Sequence, residues 1–173
     1  GLLDKRITRR KRVPVKIYGQ IDKEKWVREA TDADIQKFKN EEEADYPPDY
    51  EPQAIEWGEL YRSGYHMGIT HLHHFYTKRN FRVMYSMWEA SNAFEPQIRD
   101  AIRLLLLSYN ATHSTLMTRV VVKKNSKDFV LTGAQSGVLY ISSLPVEKNI
   151  IMGVKRKPKS FENAFAYLNT CSG

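Results

Sequence analysis

Apolar residues return at helical spacing over 78–91. Phe81, Met84 and Trp88 fall at i, i+3 and i+7, and Val83 and Met87 widen the stripe. Thr77 stands where an N-cap belongs, its hydroxyl able to accept a bond from a first-turn N–H. Asn92-Ala93-Phe94-Glu95-Pro96 breaks the pattern, and Pro96 suits the first turn of a second helix. There Ile98, Ile102, Leu105 and Tyr109 line one face, thickened by Leu104, Leu106 and Leu107. The expectation is two antiparallel helices, 78–91 and 96–109. The second should be central, because it is apolar nearly all round towards its end.

After Ser108 the period changes to two. Leu116, Thr118, Val120 and Val122 alternate with Met117, Arg119 and Val121, and 123–126 reads as a turn. Phe129–Leu131 and Val138–Ile141 are further strand candidates, and a helix is expected to begin over Glu162–Leu168. Nearer the start, Val13, Val15 and Ile17 alternate as an edge strand, since Pro14 cannot donate within a sheet. Tyr18-Gly19 would end that strand or open a hairpin. Glu24–Glu29 is short and charged and receives no element. Thr31 caps a helix through about Glu43 with Ile35 and Phe38 three apart, Asp45–Tyr50 is a proline-bearing loop, and Trp57 and Tyr61 are expected on the core. The fold class is mixed α/β: a helical hairpin at about 78–109 packed with a small sheet. Residues 1–60 form a basic arm, charged helix and linker; residues 61–173 form the helix pair and strands.

Composition narrows the class. At 42% hydrophobic and 12% aromatic, 173 residues can bury a core. No apolar run approaches the roughly 20 residues of a membrane helix, so no membrane partner is expected. The lone Cys171 excludes an internal disulfide, which suits a reducing cytoplasm. The net charge of +7 is unevenly spread. Residues 1–30 hold ten Lys or Arg against four acids, whereas 31–60 hold two against ten. Arg9, Arg10, Lys11 and Arg12, with Lys155, Arg156 and Lys157, are therefore the candidates for contact with DNA phosphates.

Residues 68–92, GITHLHHFYTKRNFRVMYSMWEASN, carry the chemistry-bearing groups. His71, His73 and His74 resemble part of a metallohydrolase loop. The acid that usually follows such a cluster is replaced by Phe75-Tyr76, so packing and capping is the plainer role. Asp45-Tyr46-Pro47-Pro48-Asp49-Tyr50 inverts the order of an Asp-Pro-Pro-Tyr catalytic signature and reads as a linker. No Phe-x-Gly-x-Gly loop appears anywhere in the chain.

The stretch Gly68–Glu89 resembles a segment of large bacterial DNA methyltransferases that modify exocyclic amino groups with S-adenosylmethionine. A second stretch, Gly137–Asn149, GVLYISSLPVEKN, resembles a later segment of the same family in the same order. The resemblance spans about 61–150. It implies an internal fragment of such an enzyme, from a DNA modification methylase of the restriction-modification kind. That fragment would bind double-stranded DNA alongside the remaining domains of its polypeptide. It further implies that Phe75, Tyr76, Thr77, Lys78, Arg79 and Asn80 lie at the S-adenosylmethionine site of the full protein. The fragment alone should be inactive and hold no cofactor tightly. Gly1, without a methionine, and the abrupt end at Gly173 fit that expectation. The rival readings are a stand-alone basic nucleic-acid-binding module and a metal-dependent hydrolase using the three histidines.

Overall fold

The structure is a computed structural model and describes residues 10–55, 58, 62, 68–115, 119–122, 129–132, 141 and 144–171. The chain forms two compact units, Gly1–Leu72 and His73–Gly173. The architecture is mixed, with helices and two separate two-stranded antiparallel sheets. The expected strand residues Leu116–Thr118 and Val138–Tyr140, and Trp57 and Tyr61, lie outside the described residues.

The first unit opens with a hairpin that the alternation pattern only half revealed. Strand β1 is Lys16–Ile21 and β2 is Glu24–Glu29, paired in antiparallel register from Lys16 opposite Glu29 to Ile21 opposite Glu24. Tyr18-Gly19 is thus inside a strand, not its end. The turn is Asp22-Lys23, with Asp22 at φ 51°, a conformation that the short aspartate side chain tolerates. The charged stretch 24–29 is a strand because its partner completes it. Every residue of β2 is exposed, so no buried face exists to impose an alternation on its sequence. Gly19 stands opposite Trp26, and any side chain at Gly19 would run into the indole.

Helix α1, Asp32–Glu43, begins where expected. Thr31 and Asp34 form a reciprocal capping box: the Thr31 side chain accepts from the Asp34 N–H, and the Asp34 carboxylate accepts from the Thr31 N–H at 2.9 Å. Arg28 pairs with both Asp34 oxygens. That guanidinium, together with Thr31, holds the Asp34 carboxyl far below its usual range. Further along, the bridge between Ala54 and His71 and the bonds Ile55 N–H to Thr70 O and Leu72 N–H to Gln53 O join 53–55 to 70–72 beside the buried Ile69.

In the second unit α2 spans Lys78–Ala90 and α3 spans Pro96–Leu107, joined by a 3₁₀ turn at Ser91–Ala93. Arg103 of α3 lies over the Trp88 ring at 4.6 Å and donates to Ser91 Oγ and Asn92 Oδ1, which locks the connection. The stripe of α2 is half-buried as its period implies.

The expectation for α3 needs correcting. Leu106 is 2% exposed, but Leu104 and Leu107 are 54% and 53% exposed. Consecutive helical residues are spaced about 100° apart, so a run of leucines cannot all face one wall. The helix also ends at Leu107 rather than 109, and a short helix α4, Asn110–His113, follows. Strands β3, Arg119–Val122, and β4, Phe129–Thr132, pair antiparallel. Helix α5 is Ile150–Val154, capped by Asn149, whose Oδ1 accepts from the Met152 N–H at 3.1 Å. Helix α6, Pro158–Cys171, starts earlier than the Glu162 expected, because Pro158 is suited to a first turn.

Gly153 of α5 lies edge-on to His113. A methyl group there would press into His113 Nε2 and approach Cε1 to 3.1 Å. Alanine favours a helix over glycine by about 1 kcal/mol, but overpacking a buried ring costs roughly 1–3 kcal/mol. Gly153→Ala should therefore lower the urea midpoint. An unchanged or raised midpoint would mean that the ring gives way freely.

Candidate functional site

The turn that launches α2 gathers most of the residues singled out in the sequence. Leu72–Phe75 is a 3₁₀ turn, and Thr77 follows in extended conformation. The Thr77 hydroxyl oxygen accepts from the Asn80 N–H at 3.3 Å, the N-cap that its position called for.

Most of this motif faces the interior of the unit. Phe75 is buried, and its carbonyl accepts from both the N–H and the hydroxyl of Thr115, at 2.7 and 2.6 Å. Tyr76 donates to Asn110 O at 3.3 Å, and burial pushes its phenol up to about 12. Thr77 is buried. Asn80, 5% exposed, donates from one amide nitrogen to His113 O at 3.1 Å and to Lys148 O at 3.0 Å. Lys78 is half-buried. Arg79 reaches outward, and its Nε and Nη2 both lie 2.9 Å from Glu147 Oε1. The result is a clasp: one turn of chain bonded to 110–115 on one side and to 147–148 on the other.

The clasp encloses His113. This imidazole is 2% exposed, stacked on Tyr109 at 4.7 Å and 12°, and edged by Gly153. Its Nδ1 is buried with no hydrogen-bond partner among the described residues. Burial, and then the charge of Lys148, depress the imidazole to about 4, so it stays neutral near pH 7. Burial lowers Lys148 in turn.

The basic candidates divide. Arg10 and Lys11 are exposed, while Arg12 is half-buried with Glu42 at 3.8 Å. Together they line a groove of about 180 Å³ with Val13, Pro14 and one side of α1. Arg9 lies outside the described residues. Lys155 and Arg156 are exposed in the turn between α5 and α6. Lys157 is occupied internally: its ammonium sits 4.4 Å over the Tyr109 ring and donates to Ser108 Oγ at 3.3 Å.

Of the three clustered histidines, His71 closes the first unit, with its Nδ1 2.9 Å from Thr70 Oγ1. His73 is buried and meets the Phe81 ring at 5.9 Å, and His73 and His74 make an edge contact at 4.4 Å.

Sequence reasoning passed over Thr115 and Gly153 and considered His113 only as a possible further metal ligand. Nothing in their local pattern marks the roles they take, because these depend on groups tens of residues away. Glu147 and Lys148 did carry a signal, since both lie in the second resemblance segment. No protein-family model matches the chain, and neither the curated proteins nor the solved structures contain a match to it.

Proposed function

We propose that this chain is part of an S-adenosylmethionine-dependent DNA methyltransferase acting on exocyclic amino groups. Within that enzyme its work is to help hold DNA and to brace the wall of the cofactor cleft. One observation carries the reading. Arg79 and Asn80, in the first resemblance segment, bond Glu147 and Lys148, in the second, across 68 residues. A coincidental likeness would give no reason for these particular residues to find each other.

S-adenosylmethionine would supply the methyl group. Phe75, Thr77 and Asn80 are turned inward and bonded within the chain, so they do not fit a direct grip on that ligand. We assign 75–80 a positioning role: they set the start of α2, where the helix dipole is positive. Arg10, Lys11, Lys155 and Arg156 are exposed cations suited to phosphate contact. The glycine-rich loop and the Asp-Pro-Pro-aromatic motif that methyl transfer needs would come from other domains of the same polypeptide.

The test uses the intact enzyme, double-stranded DNA and radiolabelled S-adenosylmethionine. Label should enter adenine or cytosine amino groups, and the 173-residue chain alone should transfer none. Each phosphate contact contributes about 0.9 to the slope of log affinity against log salt. Arg10→Ala with Lys11→Ala should therefore flatten that slope by about two. Salt-dependent binding without label would favour the stand-alone nucleic-acid module. No label together with a flat slope would remove both readings.

A further inference from the structure

We propose that the outer edge of β2 pairs with the same edge of a second copy of this chain, joining two hairpins into one four-stranded antiparallel sheet. The proposal draws only on the first unit and does not depend on the methyltransferase reading. It stands on the register of the hairpin and on the order of charges along Glu24–Glu29.

The register fixes which backbone groups point outward. Ala30 N–H donates to Val15 O at 2.8 Å, so these two residues form a hydrogen-bonded pair. Such pairs alternate along an antiparallel ladder. Ile17 with Arg28, Gly19 with Trp26 and Ile21 with Glu24 are then bonded pairs too, and the N–H and C=O of Lys25, Val27 and Glu29 face away from β1. Among the described residues no strand pairs with that edge. Every residue of β2 is exposed, Val27 by 52% and Trp26 by 38%. The Trp26 indole leans over Gly19 of β1, away from the outer edge. A lone two-stranded hairpin is marginal in water, and stability comes with three or more strands that share an apolar face. Ile17, Ile21 and Trp26 lie on one face of this hairpin and would extend across the doubled sheet.

The charges select the partner and the register. About a two-fold axis the strand meets its own sequence in the opposite direction. Only Lys25, Val27 and Glu29 offer outward groups, so these bond among themselves and odd-numbered residues face odd-numbered ones. Setting Glu24 against Glu29 and Lys25 against Arg28 would oppose like charges, and this parity forbids it. The pairing centred on Trp26 is allowed. It sets Glu24 of each copy opposite Arg28 of the other, bonds Lys25 to Val27, and brings the two Trp26 side chains opposite one another. Cross-strand pairs of opposite charge and of aromatic rings both stabilise a sheet. Arg28 has donors for this, because Asp34 and Glu29 O take three of the five N–H groups of its guanidinium. The pairing centred on Val27 has less to gain. It sets Lys25 opposite Glu29, whose carboxylate already meets Lys16 at 3.3 Å and whose carbonyl already accepts from Arg28 Nη1 at 3.1 Å. Since both copies use the same edge, the assembly closes at two.

Analytical ultracentrifugation of the 173-residue chain from about 5 to 500 μM should show a monomer–dimer equilibrium, as a small interface of this kind implies. Over the same range, hydrogen exchange at the outward amides of Lys25 and Val27 should slow as concentration rises. This second readout needs no variant to fold. Glu24→Lys turns both Glu24–Arg28 pairs into like-charge pairs and should weaken association at least about tenfold. Within its own hairpin Glu24 stands opposite Ile21, so no cross-strand ion pair is lost there. Val27→Pro removes an outward N–H and no bond to β1, and should abolish the dimer. A monomeric mass throughout, exchange at Lys25 and Val27 that ignores concentration, or a Glu24→Lys dimer as tight as the natural one would each overturn the proposal.

Discussion

Replacing Asn80 with alanine lowers the stability of the His73–Gly173 unit by about 3 kcal/mol. The amide of Asn80 is the only group drawn to both His113 O and Lys148 O among the described hydrogen bonds, and all three lie in or beside the core. Truncation removes both donors at once. It leaves two carbonyls facing a void, and an orphaned buried polar group costs about 1–3 kcal/mol. Water could rehydrate Lys148 O more readily, since that bond is only partly buried, which keeps the sum well below the maximum. Asn80→Asp should do at least as much damage, because a carboxylate oxygen would then confront both carbonyls. Urea denaturation followed by circular dichroism and by tryptophan fluorescence measures the effect. A loss under about 0.5 kcal/mol would show that the clasp between α2 and residues 147–148 holds without this side chain. Because Asn80 also belongs to the first resemblance segment, such a result would weaken the observation on which the proposed function rests.

The second large effect is in pH. His113 is depressed from an ordinary 6.5 to about 4, chiefly by burial and next by Lys148. Around its ring stand Tyr109, stacked at 4.7 Å, and Gly153; Lys157 lies over the outer aromatic ring at 4.4 Å. No carboxylate among the described contacts of the ring would welcome an imidazolium. The unfolded chain takes up a proton near pH 6.5, whereas the folded chain holds the ring neutral down to about 4. The contribution of His113 is therefore complete above about pH 6.5. It falls as the pH drops through that window and is gone below about 4. At 1.36 kcal/mol per pKa unit the total is about 3 kcal/mol. Carboxylates titrate at the lower end of the same window, so the quantity to read is a difference. Stability measured from pH 7.5 to 4 for the natural chain should fall more steeply than for His113→Phe, which keeps the stacked ring and cannot ionise. Equal slopes would place the titration of His113 near its ordinary value. Direct titration of its ring resonances checks the same point without a substitution.

These two expectations, with the Gly153 contact, describe one neighbourhood, and its members were unequally visible beforehand. Thr77 was legible as a cap from its place before the apolar stripe. Its partner Asn80 was also picked out, but as a ligand contact. The structure turns its amide inward because two carbonyls, 33 and 68 residues away, are waiting there. His113 has no local signature at all, since an isolated histidine at the end of a leucine-rich helix reads as surface or core with equal ease.

What the sequence by itself determined are features decided within a few residues. Thr31 with Asp34 and Thr77 before Lys78 mark helix starts, as does Pro96. The half-buried stripe of α2 and the strands over 119–122 and 129–132 also follow from local periodicity. Each depends on dihedral preference, on a nearby hydrogen bond, or on side-chain spacing along one element. Only the tertiary structure decided that 24–29 is a strand, that Leu106 rather than Leu104 or Leu107 goes inward, and that Asn80 spans two distant carbonyls. It likewise decided that His73 and His113 are the buried histidines among the described residues. Those outcomes depend on what arrives from elsewhere in the chain. A side chain's burial and bonding are properties of its surroundings, and no spacing rule within one segment contains them.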